Sequence, residues 1–125
     1  MRVLVAEDNL LNLELVKDLL EMSGHTVEVA QDGRTAVELA RQILPDVILM
    51  DVQLPRLDGL AATRALKADP ATRDIPVIGL TANAMPDDRR QVLEAGCVGY
   101  IAKPIDTVRF LDTVTALVNG EREVA

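Results

Sequence analysis

Residues 46–51 read Asp46-Val47-Ile48-Leu49-Met50-Asp51, an aliphatic run closed by a carboxylate. A run this short, rich in β-branched residues and without polar alternation, suits a strand covered on both faces. Comparable runs occur at Val3–Ala6, Val27–Ala30, Val77–Leu80 and Val98–Ala102. Longer stretches with helical spacing separate them. The first helix is expected over Leu10–Met22, stopped by Gly24 in a position suited to a C-terminal cap. The second follows Asp32-Gly33, where Asp32 can accept from free N–H groups, and ends before Pro45, which disfavours helix at the preceding residue. The third follows Asp58-Gly59 and fades near Asp69-Pro70. The fourth starts near Pro86, a good first-turn residue, and ends at Ala95-Gly96. The fifth is expected to start near Asp106.

Strand and helix therefore alternate five times, which predicts an α/β fold with helices on both faces of a parallel sheet. Right-handed crossovers leave few topologies. The expectation is a flavodoxin-like, doubly wound, five-stranded parallel sheet of order 2-1-3-4-5 with five helices.

The bulk properties bound the function. The chain has 125 residues and 13.6 kDa, which suits one domain. We assign residues 1–119 to it and 120–125 to a polar C-terminal tail. Aromatics are only 2%, so the core must be aliphatic. The net charge of −7 argues against nucleic acid as a partner, because phosphate contacts need clustered Lys and Arg. Cys97 is the only cysteine, which rules out a disulfide framework; it is expected to be a small buried residue. No apolar run approaches the roughly 20 residues of a membrane helix, so no membrane partner is expected and the cytoplasm is the expected location.

In such sheets ligands sit at the carboxyl ends of the strands. There the chain carries Glu7 and Asp8, then Asp51, then Thr81, then Lys103-Pro104. Strands one and three are expected to be neighbours, so three carboxylates converge. Two unit charges about 4 Å apart repel by roughly 4 kcal/mol at an effective dielectric near 20. Either a carboxylate is protonated or a cation neutralises the group, and a few carboxylates with water suit Mg²⁺. Asp51 is the natural nucleophile, because a carboxylate can attack a phosphoryl group to give an aspartyl phosphate. Lys103 can neutralise the transferred group as a compact charge, and the Thr81 hydroxyl can donate to another oxygen. Each residue alone is ordinary: an acid after a strand is usually a cap, and a lysine is usually solvated. All of them at successive strand ends in one chain is a far narrower pattern.

From near its start to about Leu117 the chain resembles the receiver domain of two-component response regulators. The matching residues are Val5-Ala6-Glu7-Asp8-Asn9, Ile48-Leu49-Met50-Asp51-Val52-Gln53-Leu54-Pro55 with Asp58-Gly59, Leu80-Thr81-Ala82, and Gly99-Tyr100-Ile101-Ala102-Lys103-Pro104. Within that family it is most similar to stand-alone regulators of polar differentiation and to receivers of hybrid sensor kinases. The resemblance implies a phosphoacceptor signalling switch in a two-component phosphorelay. Asp51 would take its phosphoryl group from a phosphohistidine on a histidine kinase or a histidine phosphotransfer protein. Glu7 and Asp8 would hold Mg²⁺, with Asp8, Asp51 and the Gln53 carbonyl as direct ligands. Thr81 and Lys103 would bind the phosphoryl oxygens. The family often has Asp where this chain has Glu7, which leaves direct or water-mediated metal contact open at that position.

The same resemblance assigns neighbouring residues. Gln53 would tune loss of the phosphoryl group to water, with Asn83 in a similar place, and Ala82 would leave the entrance open. Thr81 and Tyr100 would move together as a switch, and the Lys103-Pro104 bond is expected to be cis. The first helix holds more leucines than one buried stripe needs, and we assign Leu11 and Leu15, with Pro104, to docking of a helical phosphodonor. His25 is expected in solvent without a role. The output surface toward a downstream protein is expected near Met85, Arg89, Tyr100 and Val108, where phosphorylation-linked homodimers would also form.

Other readings are a receiver that docks without cycling phosphate, or a receiver fragment of a hybrid histidine kinase. A phosphatase of the haloacid-dehalogenase type needs a second Asp two residues after the nucleophile as general acid and base; here Gln53 stands there. The chain is therefore not expected to be an enzyme beyond its own phosphoryl transfer and slow dephosphorylation. A flavin carrier would need a Ser/Thr/Gly-rich loop after the first strand, where Glu7-Asp8-Asn9 stands.

Overall fold

The computed structural model describes residues 1–82 and 85–120; Asn83 and the tail beyond Gly120 lie outside them. Five strands, β1 (Arg2–Ala6), β2 (Thr26–Ala30), β3 (Val47–Asp51), β4 (Val77–Thr81) and β5 (Gly99–Ala102), alternate with five helices. These are α1 (Leu10–Met22), α2 (Gly33–Ile43), α3 (Gly59–Ala68), α4 (Pro86–Glu94) and α5 (Phe110–Val118). All strand pairs are parallel and the order is β2-β1-β3-β4-β5, as the alternation predicts. Among the described residues no helix is long and apolar enough to cross a membrane.

Successive strand residues point to opposite faces, and two cores result. On one face Leu4, Ile48, Met50 and Val77 pack with α2, α3 and α4 through Ala36, Val37, Leu66 and Val92. On the other, Val3, Val5, Leu49, Ile78 and Leu80 pack with α1 and α5 through Val16, Leu20, Phe110 and Leu117. The three middle strands are buried on both sides, which explains their unbroken apolar runs. Cys97 is buried in the first core.

The helix ends follow local chemistry. Asn9, Asp32 and Asp58 each accept a hydrogen bond from the backbone N–H three residues on, satisfying donors that a first turn leaves free. Gly24 lies just past α1 with φ +86°, a conformation that suits glycine. One expected boundary moves. Asp106 does accept from Val108 and Arg109 N–H groups, but it organises a turn, and α5 begins only at Phe110. His25, expected in solvent, is half-buried. Its Nδ1 lies 3.0 Å from the Met1 amine.

Two glycines fix the loop after β3. A Cβ on Gly59 would lie 1.9 Å from the Asp51 carbonyl oxygen, and one on Gly33 would lie 1.8 Å from that of Leu57. No side chain fits at either place. The starts of α2 and α3 therefore close directly onto the segment that follows Asp51.

Candidate functional site

The strand ladder carries the site residues past the regular strand ends. Glu7 N–H bonds the Ala30 carbonyl, Val52 N–H that of Leu80, and Lys103 N–H that of Thr81. Glu7 is thus in phase with Val3 and Val5, Asp51 with Val47 and Leu49, and Lys103 with Ile101. These three side chains follow the phase of the α1/α5 face and meet at the sheet edge. Thr81 is in phase with Gly79 on the opposite face and is buried.

Lys103 Nζ donates to Asp51 Oδ2 at 2.7 Å. The same nitrogen lies 2.9 and 3.2 Å from the two Glu7 carboxylate oxygens. Asp51 Oδ1 accepts from the Gln53 backbone N–H at 3.0 Å. Asp51 is 5% exposed and Glu7 0%, whereas Asp8 is exposed. One oxygen from each of Glu7, Asp8 and Asp51 lies within 4.8 Å of the others.

Burial and the neighbouring Asp51 carboxylate push Glu7 up to about 7, against weaker opposing bonds from Lys103 and Asn12. Burial alone would depress Lys103, but its bonds to Asp51 and Glu7 outweigh that and raise it. One ammonium thus holds two carboxylates that would otherwise repel.

Asp51, Lys103, Thr81 and Asp8 open onto a cleft of about 870 Å³. Gln53 and Ala82 line it and are exposed. Glu7 lies behind Lys103 and is not part of the lining. The donors suit a small hard cation: carboxylate oxygens of Asp8 and Asp51 converge at a wet surface, with Glu7 adding charge from below. Asn12, Asp58, Asp88 and Gln91 also line the cleft, and sequence reading missed them. Asn12 had a signal, since it lies in the first turn of the helix expected from Leu10, just after the acidic pair. Asp88 and Gln91 had none, because their approach depends on how α4 packs.

The remaining candidates do not line the cleft. Tyr100 is half-buried in β5, with the Arg89 guanidinium 5.5 Å from its ring centroid. The Lys103-Pro104 bond is cis, and Pro104 is exposed beside the site. Leu11 is 79% exposed on α1, and Leu15 is half-buried one turn further on. Met85 and Val108 are exposed.

Comparison with known proteins agrees with this geometry. Residues 3–115 match the family model described as response regulator receiver domain. The chain is 46% identical over 112 residues to the polar-differentiation response regulator DivK of Brucella anthropi, covering 90% of this chain and 91% of that one. It superposes with TM-score 0.87 and 37% identity on the receiver domain of sensor histidine kinase PA1611 from Pseudomonas aeruginosa, covering 94% and 97% of the two chains; that structure has a magnesium ion coordinated in its active site cleft. The receiver domain of a signal transduction histidine kinase from Syntrophus aciditrophicus gives TM-score 0.86 at 36% identity over 99% of this chain and 94% of that one. With the family motifs meeting at one sheet edge, the chain belongs to the response regulator receiver domains of two-component signalling, whose role is that of a phosphoacceptor.

Proposed function

We propose that Asp51 accepts a phosphoryl group from a phosphohistidine on a histidine kinase or histidine phosphotransfer protein, and that the modified chain then acts on a protein partner. The observation that carries this is the setting of Asp51. It is a nearly buried carboxylate at the floor of an open cleft, 2.7 Å from an ammonium and grouped with two further carboxylates.

A carboxylate oxygen of Asp51 attacks phosphorus as the bond from phosphorus to the donor imidazole nitrogen breaks. The electron pair stays on that nitrogen, which takes a proton from solvent, and an aspartyl phosphate results. Such transfer depends mostly on positioning and charge. Lys103 shifts from a carboxylate oxygen to a phosphoryl oxygen, and the Thr81 hydroxyl donates to another. Asp8, Asp51 and the Gln53 backbone carbonyl are the proposed Mg²⁺ ligands, with Glu7 acting from the second layer through water. When bound, Mg²⁺ supplies positive charge where the phosphoryl oxygens gather negative charge. Gln53, at the cleft mouth, tunes the approach of water that slowly removes the group. The chain modifies itself and does not turn over external esters.

Movement of Thr81 toward the phosphoryl group, with turning of Tyr100, is the proposed output. Leu11, Leu15 and Pro104 flank the cleft as the donor's dock. The surface around Met85, Arg89, Tyr100 and Val108 receives the downstream protein or a second copy after phosphorylation. The test is intact mass after incubation with acetyl phosphate and Mg²⁺. Wild type gains one phosphoryl group and Asp51→Asn gains none; an unmodified wild type would mean a receiver that docks without cycling phosphate.

A further inference from the structure

Arg89, on α4, lies with its guanidinium carbon 5.5 Å from the centroid of the Tyr100 ring. The contact links α4 to β5 on the sheet face that also carries Thr81. Gly79 pairs with Tyr100 and Thr81 with Ala102, and strand residues two apart share a face.

The Arg89 Nε is closed off from solvent and makes no hydrogen bond with any described residue. An unpaired buried donor is costly, so hydrogen bonding at that nitrogen does not hold the side chain there. The guanidinium instead faces the electron-rich surface of the ring. α4 has few other anchors, since Val92 is its one buried residue. Tyr100 also borders a cavity of about 250 Å³ shared with Pro104, Asp106, Arg109, Phe110 and Thr113. The ring thus has a cation as one neighbour and open space as another.

We infer that Arg89 is a positioning residue for Tyr100. Its guanidinium, placed over the phenol ring, holds the ring against α4 and ties that helix to β5. Loss of that contact releases the ring toward the open cavity. That this tie governs the response to phosphorylation rests on the reading of Thr81 and Tyr100 as the switch; the tie itself does not.

The chain has one tyrosine and no tryptophan, so tyrosine emission reports this ring alone. Arg89→Met keeps an unbranched stem and removes the charge, whereas Arg89→Lys keeps a charge without the flat fork. In the unmodified full chain, Arg89→Met is expected to raise the acrylamide quenching constant of Tyr100 at least twofold, with Arg89→Lys between it and wild type. The ratio of the two ring positions, read by NMR side-chain couplings, is expected to shift about fivefold. Wild-type quenching and couplings in a folded Arg89→Met would overturn the inference. Should that variant unfold, wild type alone decides. The Arg89 δ-protons must show an upfield ring-current shift that disappears in Tyr100→Leu, and its absence overturns the inference equally. Both readouts use the unmodified chain, so they stand apart from phosphoryl uptake at Asp51, which is scored by mass.

Discussion

The Lys103 ammonium reaches Asp51 across 52 residues of sequence and lies 2.7 Å from its Oδ2. The same nitrogen contacts both oxygens of Glu7, whose side chain has no exposure. One cation therefore binds the ends of β1, β3 and β5 into a single charged knot. Lys103 belongs to the stability of the site as much as to its chemistry.

Removing that amine strands a buried charge. Lys103→Met is expected to destabilise the fold by about 3 kcal/mol at pH 8, the scale for breaking a buried pair from one side. Lys103 has a raised folded value, so its wild-type contribution is complete below its ordinary value of 10.5 and is lost only as pH rises through the folded one. Between pH 5 and 8 Lys103 itself stays charged. In the variant, Glu7 escapes its unpaired state by taking a proton. Urea unfolding should therefore show less than half the penalty at pH 5, and an equal penalty at both pH values would contradict the pairing.

Glu7 itself sets a second slope. Its folded value of about 7 lies above its ordinary 4.5, so between these limits the folded chain holds a proton that the unfolded chain releases. Stability from this group therefore falls as pH rises from about 4.5 to about 7 and is flat above. Glu7→Gln has no such proton. With chelator present, its stability relative to wild type is expected to improve by about 1–3 kcal/mol between pH 5 and pH 8. Parallel urea-midpoint profiles for the two proteins would refute it.

Gly59 permits the loop that presents Asp51. A methyl group there would lie 1.9 Å from the Asp51 carbonyl oxygen, and backbone at that distance has no flexible end to move aside. Gly59→Ala is expected to cost about 3 kcal/mol or more and to lower phosphoryl uptake by displacing the Asp51 backbone. Gly24→Ala is the control. Its Cβ would meet nothing within 4 Å, but φ is +86°, so only the backbone penalty of about 1 kcal/mol applies. Similar losses at both positions, measured by urea unfolding, would mean that the close approach at Gly59 is not what matters.

The sheet order and the strand-end residues Glu7, Asp8, Asp51, Thr81 and Lys103 were legible because they rest on local signals. These are aliphatic runs, a cap at Asp32, breaks at Gly24, Pro45 and Asp58-Gly59, and polar residues at strand ends. What was hidden depends on packing across the chain. An acidic pair says that two carboxylates follow β1, but only the phase with Val3 and Val5 sends Glu7 inward and leaves Asp8 in the cleft. That phase was readable and was not used. The late start of α5 was not readable, since Asp106 offers the same capping oxygen to a turn as to a helix. The approach of Arg89 over the Tyr100 ring joins residues of different elements, and no sequence spacing announces it.

Leu11 offers a test that separates docking from chemistry. It is 79% exposed on α1, one turn before the half-buried Leu15, and α1 begins just beyond Asp8. An exposed leucine contributes little to folding, so Leu11→Arg should leave the urea midpoint within about 0.5 kcal/mol of wild type. A small donor such as acetyl phosphate needs only the cleft, whereas a protein donor must also cover the surface beside it. Loss of an apolar anchor with gain of a charge at such a contact is expected to weaken binding by about 2 kcal/mol, roughly thirtyfold. The quantity to measure is the ratio of phosphorylation rates from a phosphohistidine protein and from acetyl phosphate at subsaturating donor. The ratio should fall by at least tenfold in Leu11→Arg. An unchanged ratio would remove α1 from the docking surface and leave the chemistry at Asp51 untouched.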